Sequence, residues 1–236
     1  HSAHEHFRVV IIGAGPAGIG AAVELARRGV ERILVLERWD RPGGLPAKYP
    51  TAAGGPRTYA VFSQGRILYG EQFADRLLKQ LSRTTVKIRL ECTVIRVDAD
   101  EKTLTVVSPQ CGQHQIAADA VVFATGAREE TASEQGWIAG SRTHWVLQTM
   151  QLLELASRGR VLPWKSPVVA GTNLIGYASA AKLLAAGARR VRMVDTSRKP
   201  RTPLAARWYF RQWGRLPWQQ SEKLEIACDG HSRQRL

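Results

Sequence analysis

Cysteine is scarce: Cys92, Cys111 and Cys228 are the three in 236 residues, and none forms a CxxC pair. That excludes a dithiol redox centre and a cysteine-rich metal site. So sparse and odd a count suits a reducing, cytoplasmic compartment. Acidic residues are also few. Twenty Asp and Glu against 34 Lys and Arg leave a net charge of +14, which permits anionic partners and decides nothing about fold. Long hydrophobic runs are missing. No uncharged stretch exceeds 16 residues, and the more apolar of that length, 166–181, includes Thr172, Asn173, Gly171 and Gly176, so no integral membrane span is expected. The first residues lack the basic-then-apolar layout of a signal peptide, and there is no initiator methionine; residues 1–6 are set aside from the fold reading. The histidines His4, His6, His114, His144 and His231 do not stand at ligand spacing with cysteines or carboxylates, so no metal site is expected. No Ser-His-Asp or Cys-His pairing emerges, and the catalytic residues stay unknown; His144 reads as a hydrogen-bonded structural histidine.

What is present is ordinary globular material, 44% hydrophobic and 23% charged, enough to bury a core. The length fits one large domain or two small ones. Residues 8–12, Arg-Val-Val-Ile-Ile, form a β-branched run that reads as a buried parallel strand. Gly13-Ala-Gly15-Pro16-Ala17-Gly18 follows at once, then a helical stretch over Ile19–Arg28, stopped by Gly29, then the strand Ile33–Leu36, ended by Glu37. Glu37 lies 19 residues past Gly18. A GxGxxG in that setting is a dinucleotide loop. Gly13 makes the tight turn, Gly15 leaves room for a pyrophosphate at the helix N-terminus, and Gly18 lets helix and strand pack closely. Glu37 would accept hydrogen bonds from a ribose.

Three further segments follow in order. Arg38 and then Arg41-Pro-Gly43-Gly44 come after the acid; Thr93-Val94-Ile-Arg-Val-Asp98 forms a strand; Val121-Val-Phe-Ala124-Thr125-Gly126-Ala127-Arg128 ends a strand in a turn. Together they resemble the two-dinucleotide-binding-domain flavoproteins of the pyridine nucleotide-disulphide oxidoreductase superfamily. The resemblance implies FAD at the first loop, held by Gly13, Gly15, Pro16, Ala17, Gly18, Glu37, Arg38, Gly43, Gly44, Val94, Ala124, Thr125 and Gly126.

The chain repeats itself. Gly13, Gly18, Gly29 and Glu37 recur as Gly171, Gly176, Gly187 and Asp195, each 158 residues on. A strand over 167–170, a helix over 178–186 and a strand over 191–194 complete the copy. Gly171, Gly176 and Asp195 are therefore candidates for a second nucleotide site, which the resemblance would give to NAD(P). Asn173 weighs against that, because its side chain stands where the first loop has Gly15. Asp195 suits a ribose 2′-hydroxyl, whereas Arg198 and Lys199 could take a 2′-phosphate. Ala-Thr-Gly-Ala-Arg128-Glu129, the altered second loop and the helix start Gly70-Glu-Gln-Phe-Ala-Asp-Arg76 are similar to the FAD subunits of hydrogen cyanide synthases and opine oxidases.

A shorter echo pairs Ile116-Ala-Ala-Asp119 with Ile226-Ala-Cys-Asp229, 110 residues apart. On that reading the second domain is shortened, and a following strand is missing. The Gly-Asp segment that the flavoprotein resemblance expects near a C-terminus does not occur in these residues. Residues 189–236 carry twelve Lys or Arg and four Asp or Glu, with Arg and aromatics interleaved over 207–218. That stretch reads as cover for the second domain, with a partner contact or a membrane-surface helix as further readings, and not as a nucleic-acid site.

The expected fold class is α/β: a Rossmann-like FAD-binding domain over 7–130, a connecting segment over 131–165, a second, shortened Rossmann-like domain over 166–230 and a tail over 231–236. The expected function is an FAD-dependent oxidoreductase, or its flavin-binding subunit. It would act on a small amine or amino acid, with electron transfer to a partner subunit. A homo-oligomer, an NAD(P)H-dependent flavoprotein reductase and a non-catalytic truncated subunit stand as alternatives.

Overall fold

The computed structural model describes residues 5–49, 60–63, 65–130, 134, 146–157, 165–195 and 224–228. In chain order the elements are β1 (Glu5–Ile12), α1 (Pro16–Arg27), β2 (Ile33–Leu36), α2 (Gly44–Ala47), β3 (Ala60–Ser63), β4 (Arg66–Tyr69), α3 (Gly70–Leu81), β5 (Lys87–Arg89), β6 (Thr93–Asp98), β7 (Thr103–Ser108), β8 (Gly112–Phe123), α4 (Thr149–Ser157), β9 (Val168–Ala170), α5 (Leu174–Ala185), β10 (Val191–Asp195) and β11 (Leu224–Cys228). The chain divides into two compact units, residues 1–47 with 71–127 and residues 48–70 with 128–236.

The first unit is built on a six-stranded sheet in the order β5-β2-β1-β8-β7-β6. The first four strands are parallel, and β7 and β6 continue as an antiparallel meander. Alternate residues of β1 and β2 serve opposite faces. Val9, Ile11, Ile33 and Val35 pack against Ile19 and Ala22 of α1 and Leu81 of α3. Val10, Leu34 and Leu36 pack with Leu104, Val106 and Ile116. Covered on both sides, β2 is apolar at all four positions, as a central parallel strand must be.

Two sequence boundaries shift. β1 starts at Glu5, so residues 5 and 6 belong to the fold after all. The cause is the length of β8, whose Ile116, Ala117 and Ala118 pair with Glu5, His6 and Phe7. His6 Nε2 also meets Asp119 Oδ1 at 2.8 Å, and Arg89 pairs with Glu5. Helix α1 starts at Pro16, three residues before the expected Ile19, because proline suits the first helical position, where its missing N–H has no partner to lose.

The second unit contains a parallel sheet in the order β11-β10-β9 and the hairpin β3–β4. Helices α4 and α5 bury Leu152, Ala180, Leu183 and Leu184 with Val191 and Met193 of the β10 region. Lys48 Nζ pairs with Glu154 Oε2 at 2.9 Å. The order β11-β10-β9 reproduces β5-β2-β1, so β11 is placed as β5 is, beside the second strand of the repeat. This corrects the reading of Ile226-Ala-Cys-Asp229 as the counterpart of Ile116-Ala-Ala-Asp119, since the latter segment lies in β8, on the other side of β1. A four-residue likeness carries too little information to choose a strand's neighbour, which long-range pairing decides.

Candidate cofactor-binding site

The GxGxxG segment turns sharply between β1 and α1. Gly13 takes φ +108° and donates its N–H to Leu36 O at 2.8 Å. Ala14 N–H donates to Glu37 Oε2 at 2.8 Å, and Trp39 N–H donates to Glu37 Oε1 at 3.0 Å. Glu37 is buried, and its own backbone is tied to Arg89 O and Cys92 N–H at 2.9 and 2.8 Å. Two N–H donors leave a carboxylate with further lone pairs to offer. Cys92 is itself buried, and that burial pushes its thiol up from the ordinary value. Sequence reasoning missed Trp39 and Cys92 as partners of Glu37. Both act through backbone N–H groups, which any residue supplies, so no side-chain signal existed to find them.

The other predicted segments converge on this turn. Gly43 N–H donates to Ala14 O at 2.8 Å, and Gly44 sits so close that a Cβ there would lie 2.8 Å from Gly15 Cα. Ala124 N–H donates to Ile12 O at 2.9 Å, which brings Thr125 and Gly126 to the same end of the sheet. Val94 is half-buried in β6 and packs on the cluster that holds Leu36, two residues after the Cys92–Glu37 tie. Arg38 is exposed, its guanidinium 5.2 Å from the Trp39 ring centroid.

The three loop glycines are glycine for different reasons. A Cβ on Gly13 would lie 2.4 Å from Ala124 O, and one on Gly18 would lie 1.9 Å from Gly13 O. The protein's own packing forbids both. Gly15 is different. It caps α1 with φ −81°, which any residue adopts, and a Cβ there would meet Gly44 Cα at an ordinary 3.8 Å. Among the described residues no side chain caps the helix at this point. The N-terminal N–H groups of α1 therefore face outward beside a position kept bare, an arrangement that suits an anion.

The second repeat copies this geometry at the same 158-residue offset. Gly171 has φ +106° and donates to Val194 O at 2.7 Å. A Cβ on Gly176 would lie 2.3 Å from Gly171 O. Thr172 N–H donates to Asp195 Oδ2 at 2.8 Å, as Ala14 does to Glu37. Gly171, Gly176 and Asp195 are thus brought together as Gly13, Gly18 and Glu37 are. Helix α5 begins at Leu174 rather than at 178, because Asn173 caps it, with its Oδ1 accepting from Gly176 N–H at 2.8 Å. The Thr172 hydroxyl adds a second bond to Asp195 Oδ2, at 2.6 Å.

His144, Arg198, Lys199 and the stretch 207–218 lie outside the described residues. Among the described residues no group of three His, Cys, Asp or Glu side chains is placed to hold a metal, and no helix is long and apolar enough to cross a membrane.

The sequence matches the pyridine nucleotide-disulphide oxidoreductase family over residues 7–209. It is 32% identical over 185 residues to the HcnB component of the hydrogen cyanide synthase of Pseudomonas aeruginosa, covering 78% of this chain and 37% of that one. It is 30% identical over 200 residues to one of the opine oxidase subunits of Rhizobium meliloti, covering 82% and 36%. The chain therefore spans little more than a third of these relatives' length. Among solved structures, the bacillithiol disulfide reductase Bdr of Staphylococcus aureus shares the fold with a TM-score of 0.63 at 16% identity, over 95% of this chain and 67% of that one. The L-proline dehydrogenase of P. horikoshii does so with a TM-score of 0.61 at 24% identity, over 83% and 37%. With a tandem Rossmann-like repeat and a match that runs through both copies, the chain belongs to the pyridine nucleotide-disulphide oxidoreductase family of FAD-dependent oxidoreductases.

Proposed function

We propose that this chain is the flavin-binding part of an oxidoreductase that takes electrons from a small amine or amino acid and passes them to a partner subunit. The observation that carries the flavin site is Gly15. The packing of the described residues explains Gly13 and Gly18, but nothing in it requires a bare residue at 15. A ligand approaching the N-terminus of α1 supplies that requirement. FAD fits the site. Gly15, Pro16, Ala17 and Gly18 would admit its pyrophosphate to the helix N-terminus. Glu37 keeps acceptor capacity for the adenosine ribose, with Arg38 beside it and Val94 toward the adenine. Gly43, Gly44, Ala124, Thr125 and Gly126 would line the path along the cofactor.

When bound, the flavin supplies the two-electron chemistry, while the protein binds and orients it. The substrate class rests on likeness to components of an opine oxidase and a hydrogen cyanide synthase, and the partner on both relatives being named as subunits. The proposal takes 7–130 and 166–230 as the two functional domains. It also places the protein in the cytoplasm, which the free thiols Cys92 and Cys111 suit. The test is flavin titration. FAD at tens of micromolar should be bound with a change in flavin fluorescence, and Gly15→Val should abolish this with circular dichroism unchanged. A folded chain that takes up no FAD overturns the reading. Anaerobic mixing of the flavin-loaded chain with amines and amino acids, by itself and with its partner subunit, tests the substrate class by loss of flavin absorbance.

A further inference from the structure

We infer that the second Rossmann-like repeat is not a nicotinamide-nucleotide site, because its loop carries substitutes for the ligand within its own sequence. The inference stands whether or not the first loop holds flavin. It rests on a comparison of two loops with the same backbone. The caps of α1 and α5 have nearly the same dihedrals, φ −81°, ψ −177° at Gly15 and φ −78°, ψ 177° at Asn173. What differs is what occupies the helix N-terminus. At α1 no side chain among the described residues caps it. At α5 the Asn173 carboxamide oxygen accepts from Gly176 N–H at 2.8 Å. Gly176 is the counterpart of Gly18, and its N–H is among the donors that a pyrophosphate oxygen would claim. The protein's own oxygen already stands there.

The acid end has changed in parallel. Thr172 is fully buried at the position of Ala14, and its hydroxyl donates to Asp195 Oδ2 at 2.6 Å. The hydroxyl adds to this carboxylate a side-chain donor that Ala14 cannot supply in the first repeat, and it takes up a lone pair that a ribose hydroxyl could use. The first helical turn completes the change. Leu174 and Ile175 are about half exposed at 48% and 47%, where the first repeat has Pro16 and Ala17. A dianionic pyrophosphate would have to displace Asn173 and settle against aliphatic surface. The loop has kept the glycines that the backbone needs, Gly171 and Gly176, and replaced the one that the ligand needs.

The test uses flavin-loaded protein, so that the first loop is filled. NADH and NADPH are titrated while amide hydrogen exchange is followed in the peptide covering 171–177. The expected result is no change in exchange up to about 1 mM nucleotide. Asn173→Gly with Thr172→Ala, which restores the first loop's residues at those two positions, should bind NADH or NADPH at least tenfold more tightly than the native chain. If the double variant does not fold, native exchange alone decides. Nucleotide-dependent protection of 171–177 at tens of micromolar in the native chain overturns the inference, as does a folded double variant that binds no better. Should flavin loading itself fail, that counts against the first loop, while the exchange at 171–177 still reads the second.

Discussion

Gly15 and Gly18 stand three residues apart in one loop, and substitution should separate their roles. Gly18→Ala forces a methyl to within 1.9 Å of the Gly13 carbonyl oxygen, where only backbone can yield. It should cost about 3 kcal/mol or more of stability, by overpacking at a junction with no flexible neighbour. Gly15→Ala places its methyl in ordinary contact, at a helix cap where alanine is merely a poor choice. It should cost about 1 kcal/mol or less, yet weaken FAD at least tenfold. Urea denaturation beside flavin titration measures both. Equal losses of stability in the two variants would show that Gly15, too, is a packing residue.

Helices α1 and α5 are each twelve residues long and begin and end at matching places 158 residues apart. Their C-terminal ends diverge in charge. On α1, Glu24 bonds both Arg27 and Arg28, at 2.7–2.9 Å. The two guanidiniums, Arg27 foremost, hold the Glu24 carboxyl down to about 2, against an ordinary 4.5. A carboxyl depressed in the folded state stabilises above the unfolded value and loses that contribution as pH falls toward the folded one. Glu24→Gln should therefore lower the melting temperature slightly at pH 6, and the difference should close between about pH 4.5 and 2. The three side chains are open to solvent, so high salt should also shrink the effect. A difference that persists at pH 2 would mean that the glutamate acts by packing.

Elements also differ in how far the sequence discloses them. Glycine punctuation and the acid after the second strand made both strand–loop–helix–strand units legible, because each rests on local backbone demands. The neighbour of β11 was not legible, since pairing between segments far apart depends on the whole sheet. Asn173 was read as an obstruction, and the structure makes it a helix cap as well. That outcome follows from the ordinary preference of asparagine for the residue before a helix.

At the scale of the whole molecule, the net charge of +14 meets a cofactor whose pyrophosphate is anionic. Long-range attraction of this kind speeds encounter and is screened by salt, over about 10 Å at 0.1 M and about 3 Å at 1 M. The association rate of FAD should accordingly fall several-fold between those concentrations, measured by stopped-flow flavin fluorescence. A rate indifferent to salt would mean that loop rearrangement, not encounter, limits uptake. The contact between Gly13 and Ala124 has one more consequence, for the order of events during synthesis. The glycine loop is complete in sequence at residue 18, but its turn is braced by a strand end that arrives 106 residues later (124 − 18). At roughly 5–20 residues per second on the ribosome, the nascent loop waits about 5–20 seconds for that brace. Cofactor loading thus belongs to a chain made at least as far as the end of β8, and a ribosome stalled before β8 should hold a nascent chain that cannot retain flavin.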